Sequence, residues 1–356
     1  MKACSLVREN RDLSFDALRG VAILAVVAIH ATGAGYRFEG FESLTFNGYF
    51  LLLYRQMLNF AVPTFIFISG FWMARLDVFR EGAYSTSLLR RLTKVVIPYL
   101  FWSFVIFALA LVRGVHISWK GALFKLVTGS ASTPYYFIIV ILQLYILTPL
   151  LLYLNKSKFG ICLIVTINCF GILLLYFFRL LIGYELPFTM YAAPFYSWVV
   201  FYQIGLLAGT QSDVFRSFSN SLTVYAVILA ILLSILESMV LVIHYQNWNF
   251  ATSQLKLSSC FYAMVLITLI YRYRSFFSNI PILIKLGNIS FGIYLIHMFV
   301  LPVVSRVVGK LHFILSLQPA YQIVITGFTI FLCFVIIEMV KTIVPKRISS
   351  SIFGFY

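Results

Sequence analysis

Apolar residues run along this chain in blocks of about 18–25 positions, broken by short polar connections. A helix needs roughly 20 such residues to cross a hydrocarbon core of ~30 Å. Ten blocks meet that requirement, near 15–34, 55–75, 94–113, 134–154, 159–178, 191–210, 221–243, 254–271, 282–305 and 319–340. They predict an all-α, polytopic membrane helix bundle of about ten transmembrane helices, forming a single membrane domain over residues 1–356. No low-complexity run, internal repeat or linker marks a second unit. The first block has a short core, Val21 to Ile29, followed by Ala31, Thr32 and Gly33, residues small enough for a leader-cleavage site. The segment before it carries Glu9, Asp12 and Asp16, and Arg19 runs into the apolar stretch. The block is therefore read as a retained helix.

Composition agrees. The chain is 62% hydrophobic and 11% charged, where a soluble domain carries roughly 25% charged residues. Ten spans use about 200 residues, leaving ~150 for loops and tails, too few for a second soluble domain of ordinary size. The net charge of +16 does not point to nucleic acid, because the basic residues are scattered between apolar blocks. The five cysteines (Cys4, Cys162, Cys169, Cys260, Cys333) have no repeated spacing, and four lie inside apolar stretches, as small packing residues do. No His/Cys/Asp/Glu group has zinc-like spacing, so no metal is expected.

The basic residues also set an orientation. With the N-terminus in the cytoplasm, eighteen face inward: Lys2, Arg8, Arg11, Arg19, Arg75, Arg80, Arg90, Arg91, Lys94, Lys156, Lys158, Arg216, Arg272, Arg274, Lys285, Lys341, Lys346 and Arg347. Nine face outward, among them Arg37, Arg113, Arg179, Lys256 and Arg55, the last at the outer end of the second helix. Positive charge is retained on the cytoplasmic side, so both termini are expected there.

An ionisable side chain inside a membrane span is costly and marks a functional candidate. Arg19 and His30 are eleven steps apart in the first helix. That spacing returns them to one face with a rise of ~16 Å, which sets His30 near the midplane if Arg19 is at the inner surface. His297 lies twelve residues beyond Lys285, a helical rise of ~18 Å, so two imidazoles are expected at similar depth. Each could simply hydrogen-bond a neighbouring helix. A neutral imidazole could also take a proton from a hydroxyl, a step worth ~10²–10⁴ in rate. Arg19 is too far from His30 to touch the same atom; it could hold phosphate at the cytoplasmic mouth or pair with Asp16 one turn earlier.

Other groups carry two readings each. Arg90-Arg91-Leu-Thr-Lys94 is a compact cationic group that suits either lipid headgroups or phosphate. Ser69-Gly70-Phe71 suits close helix packing better than a nucleophilic serine. Gly287, Ser290, Tyr294 and His297 step by 3, 4 and 3 into one stripe, where Tyr294 could orient His297 or merely pack. The outward segments Tyr36-Arg-Phe-Glu39 and His244-Tyr-Gln-Asn-Trp-Asn249 suit a sugar or an interfacial aromatic belt. Glu237 and Glu338 lie close to helix ends.

Taken together, these motifs resemble acyltransferase family three, multi-pass bacterial membrane proteins that O-acylate surface carbohydrates. Leu13-Ser-Phe-Asp16-Ala-Leu-Arg19-Gly20 with His30 resembles the family's opening Asp-x-x-Arg-Gly and its arginine–histidine spacing. Val62 to Phe71, Arg90-Arg91-x-x-Lys94 with Pro98, and Leu286-Gly287-x-x-Ser290-x-x-x-Tyr294-Leu-Ile-His297 resemble later family elements in the same order. Tyr135 and Tyr136 stand where relatives often place a Trp, and the sequence ends sixteen residues after the tenth block, as in stand-alone members.

The resemblance implies an O-acyltransferase of the bacterial inner membrane. It would use acetyl-CoA or another acyl-CoA as donor, with no metal, and a surface glycan or lipid-linked saccharide such as an O-antigen precursor as acceptor. His30 becomes the candidate base or acyl-handling residue and Arg19 the donor-side cation. Arg90, Arg91 and Lys94 become candidate CoA-phosphate anchors, with Asp16, Ser69, Tyr294 and His297 in support. Membrane lipids would be the standing partners, and the oligomeric state is left open. A transporter or exporter of lipid-linked sugars is the rival class, since ten spans with polar residues at mid-depth suit transport too.

Overall fold

A computed structural model describes residues 12–33, 45–76, 84–211, 220–311, 313 and 316–356. Expectations resting on Lys2, Cys4, Arg8, Glu9, Arg11, Arg80, Arg216 and the Tyr36–Glu39 segment lie outside the described residues. Within them the chain is helical, with no strand. The helices of eight or more residues are α1 Leu13–Ala31, α2 Phe46–Leu58, α3 Ala61–Ala74, α4 Tyr84–Val112, α5 Trp119–Thr128, α6 Tyr136–Leu154, α7 Lys158–Tyr176, α8 Val199–Thr210, α9 Asn220–Ile243, α10 Leu257–Arg272, α11 Pro281–Asn288, α12 Ser290–Val308 and α13 Gln318–Ile343.

Eight helical stretches of the described residues are long and apolar enough to cross a membrane. The sixth and eighth apolar blocks form the shorter helices α8 and α10. The 12 residues of α8 rise ~18 Å, short of a ~30 Å core. The block is cut because Pro194 precedes a 3-10 turn, Phe195–Ser197, so helical geometry resumes only at Val199.

Two further blocks are broken. The second begins nine residues earlier than its apolar core suggests, at Phe46, and parts between α2 and α3 at Asn59 and Phe60. Pro63 explains the break: in a continuous helix its ring would meet the carbonyl four residues back, that of Asn59. The ninth block parts at Ile289 into α11 and α12. The straight-helix rise from Lys285 to His297 therefore does not apply.

Backbone-to-backbone contacts hold the centre. A Cβ added at Gly287 would sit 1.7 Å from the Asp16 carbonyl oxygen, and one at Gly20 2.1 Å from that of Leu283. So α11 lies directly against the first turns of α1, and the glycines of two motifs face one crossing. Helices α3 and α8 cross as closely, with Gly70 against the Tyr202 carbonyl. That contact accounts for Gly70 of the Ser69-Gly70-Phe71 segment. Around these crossings Ile23, Val27, Ile293, Leu295 and Ile325 are fully buried. Leu232, Leu236 and Phe331 are exposed, so the outside is apolar as well as the core, as expected where lipid replaces water.

Candidate functional site

His30 sits in the last turn of α1. It is half-buried and lines a cavity of about 650 Å³, within the range of ordinary ligand sites. The cavity is walled by the last turns of α1 and α2, the start of α3, the middle of α12 and residues 133–137, 188–198 and 249–255. These connections fall on the side that the charge count places outside.

His297 stands behind His30. Its ring is completely buried, with its centroid 5.1 Å from that of His30 and the planes at 47°. The two histidines, read from sequence as lying at similar depth, are neighbours. His297 Nδ1 lies 2.8 Å from the Tyr294 carbonyl oxygen and 3.1 Å from that of Ile293. Both groups only accept, so Nδ1 carries the hydrogen and Nε2 presents a lone pair. Among the described residues that Nε2 has no hydrogen-bond partner. Burying an unpaired acceptor is unfavourable, and the His30 ring is the polar group alongside.

Tyr294 contributes to this arrangement through its backbone. Its hydroxyl donates to the Pro134 carbonyl oxygen rather than to His297, and the two ring centroids are 6.2 Å apart. Ser290 donates to the Gly287 carbonyl oxygen at 2.8 Å and closes the α11–α12 joint. Tyr135, fully buried, donates to the Leu295 carbonyl oxygen at 2.9 Å. Tyr136 faces the cavity, stacked at 6.0 Å on Trp198, another wall residue.

Sequence reasoning missed Arg55 as a cavity residue. An apolar block starting at 55 puts it at the membrane surface. The helix starts at Phe46, which carries Arg55 inward to line the cavity beside His30. Its Nη1 donates to the Ile29 carbonyl oxygen at 2.8 Å and to the Thr32 hydroxyl at 3.4 Å, and its Nη2 to the Thr252 carbonyl oxygen at 3.4 Å. A cation thus caps the last turn of α1, where free carbonyls and the helix dipole favour one.

The wall carrying Asn249 and Gln254 is pinned from behind. Gln56 and Ser238 donate to the Ala251 carbonyl oxygen at 3.0 and 2.9 Å, and Asn59 to that of Ser253 at 3.4 Å. Lys256, completely buried, donates to the Ser234 carbonyl oxygen at 3.1 Å and to the Ser238 hydroxyl. Of the outward amides singled out in the sequence, Asn249 reaches the cavity.

The remaining candidates lie elsewhere. Arg19 pairs with buried Asp16, Nη1 to Oδ1 at 2.9 Å, as the one-turn spacing suggested. Neither lines the His30 cavity, and neither do Ser69, Arg90, Arg91 or Lys94. Arg90 and Lys94 are exposed near the start of α4, and Arg91 and Ser69 are half-buried. The Lys94 carbonyl oxygen accepts from the Tyr356 hydroxyl at 3.0 Å. The structure brings His30, His297 and Tyr294 together and leaves the basic group apart. Glu237 takes hydrogen bonds from Tyr176 and Ser258, and Glu338 pairs with Lys341 at 3.3 Å.

Comparison with known proteins gives a family. Residues 12–338 match a family model described as an acyltransferase domain. Over 161 residues the chain is 27% identical to the nodulation protein NolL of Sinorhizobium fredii (strain NBRC 101917 / NGR234), covering 45% of this chain and 42% of that relative. The match thus spans under half of the relative's length. No solved structure matches the chain.

Proposed function

The chain belongs to acyltransferase family three, and from that premise we propose that it moves an acyl group, most often acetyl, from cytosolic acyl-CoA to a hydroxyl of a cell-envelope glycan or lipid-linked sugar in the bacterial inner membrane. The observation that carries this reading is the His30 imidazole facing a ligand-sized cavity with a second imidazole buried behind it. In this proposal the hydrogen of His30 sits on the ring nitrogen nearer the bare Nε2 of His297. The nitrogen facing the cavity is then left as a base.

In the proposed reaction that nitrogen takes the proton of the acceptor hydroxyl as the oxygen attacks the thioester carbonyl. The tetrahedral intermediate collapses, the carbon–sulfur bond breaks, and the imidazolium returns its proton to the leaving thiolate. Relay through an acyl-imidazole at His30 uses the same residues in two steps. Arg19, half-exposed beside Asp16, is the proposed donor-side cation, with Arg90, Arg91 and Lys94 as anchors for the CoA phosphates. A donor held at Arg19 must extend its thioester ~16 Å along α1 to reach His30.

The test is transfer of label from labelled acetyl-CoA to an acceptor glycan by purified protein. His30→Ala is expected to lower the rate by ~10²–10⁴, and transfer at the normal rate in that variant removes the role. Mass spectrometry of envelope glycans with and without the gene identifies the acceptor, through a loss of mass equal to one acyl group.

A further inference from the structure

The cavity holds a permanent positive charge, that of Arg55. Among its described lining residues there is no aspartate or glutamate. No described carboxylate forms an ion pair with Arg55, whose partners are two backbone carbonyls and a hydroxyl. Those carbonyls and the C-terminal dipole of α1 offset part of the charge but supply no full countercharge. A guanidinium has five N–H groups. The three bonds leave the Nε–H and one Nη2–H uncommitted among the described residues, two donors for an oxyanion.

We propose that Arg55 is the anion-binding residue of the His30 cavity, holding a phosphate or carboxylate group of the substrate that reacts there. The group recognised is an oxyanion joined to the reacting molecule. It is either part of the acceptor, as a glycosyl phosphate or an acidic sugar, or one of the phosphates of the donor. Bound at Arg55, it supplies a full countercharge and fixes the substrate against the end of α1, next to His30. Non-ionic sugars lack this anchor. The inference rests on the His30 cavity being the substrate site, and it assigns the chemical class of what enters.

Calorimetric binding to the purified protein in zwitterionic nanodiscs tests this with three pairs of probes that differ in charge. Farnesyl phosphate against farnesol represents a lipid-linked acceptor, glucuronate against glucose an acidic sugar, and coenzyme A against pantetheine the donor. At least one charged member is expected to bind about tenfold or more tightly than its neutral counterpart, a factor equal to ~1.4 kcal/mol. The pair that shows it names the source. Arg55→Gln should bring that ratio to about one while binding the neutral member as the native protein does, and Arg55→Lys should keep part of the preference. Equal binding within every pair, a preference that survives Arg55→Gln, or loss of both members together overturns the inference. A preference that depends on Arg55 in a protein that transfers no acyl group sinks the transferase reading and leaves this one standing.

Discussion

The rings of His30 and His297, carried by helices from opposite ends of the sequence, lie 5.1 Å apart between centroids, and only His30 reaches the cavity. His297 has its Nδ1 hydrogen committed to the carbonyl oxygens of Tyr294 and Ile293. Its orientation and tautomer are therefore set by the backbone of α12, whatever occupies the cavity. In the proposed reaction it acts on His30, and through His30 on the substrate.

That role separates two variants. His297→Ala removes the acceptor behind His30 and is expected to lower kcat by about tenfold to a hundredfold, the size of effect seen when a partner that orients an essential imidazole is lost. KM for donor and acceptor should stay within about twofold. His297→Gln, whose amide oxygen can still accept, should recover part of kcat. Steady-state kinetics normalised to folded protein checks this. A loss of folded yield with unchanged kcat per folded molecule would assign His297 to packing alone.

Arg19 offers the contrasting case. It is held by Asp16 at 2.9 Å and lies outside the His30 cavity. Charge-assisted hydrogen bonds contribute ~1.5–3 kcal/mol, so Arg19→Ala should raise KM for acyl-CoA about tenfold to a hundredfold with a smaller effect on kcat. Asp16→Asn leaves the guanidinium charged and should spare donor binding. Titration of acyl-CoA against transfer rate decides, and an unchanged KM in Arg19→Ala would reduce the residue to a structural partner of Asp16.

Much of this was legible in the sequence because lipid imposes a simple rule. Helices must be long and apolar, so α1, α6, α7, α9 and α13 fall where the apolar blocks predict. Similar depth was expected of His30 and His297, but not that they are neighbours, since the rise from Lys285 ignores the break at Ile289. Arg55 was hidden because Arg55 and Gln56 interrupt the apolar run, so they read as its edge, whereas Tyr49 to Tyr54 continue the same helix back towards Phe46. Lys256 and its partners were hidden for a related reason. A polar cluster at a helix start reads as solvated until another helix is seen to cover it, as α9 does through Ser234 and Ser238. The breaks at Asn59 and Ile289 interrupt predominantly apolar stretches, where averaging conceals a single proline or a glycine–asparagine pair.

The crossing of α1 and α11 predicts a stability effect with an internal control. A methyl group at Gly287 would meet the Asp16 carbonyl oxygen at 1.7 Å, so Gly287→Ala must force the two backbones apart, at a cost of ~1–3 kcal/mol. Gly327, within α13, has nothing within 4 Å of an added Cβ, and Gly327→Ala should be neutral or stabilising by ~0.5–1 kcal/mol through helix propensity. Thermal unfolding in one detergent compares them. A Gly287→Ala midpoint at or above that of Gly327→Ala would contradict the close crossing.

Lys256 ties the back of the cavity wall to α9, and its two substitutions distinguish packing from hydrogen bonding. Lys256→Ala removes the donor to the Ser234 carbonyl oxygen and the Ser238 hydroxyl and also leaves the space of the four-carbon stem empty. A void of that kind and two lost bonds should together cost ~2–5 kcal/mol. Lys256→Met keeps most of the stem and loses only the bonds, so its cost should be about half. Ser238 also donates to the Ala251 carbonyl oxygen at 2.9 Å. Loosening Ser238 therefore frees the 249–255 segment, and with it Asn249 and Gln254 on the cavity side. Both variants should then raise the acceptor KM more than the donor KM, and protease should cut the 244–256 segment faster than in the native protein. If Lys256→Met unfolds as readily as Lys256→Ala, the hydrogen bonds rather than the filled volume hold the wall. If neither variant changes acceptor KM or cleavage, the wall stands without Lys256.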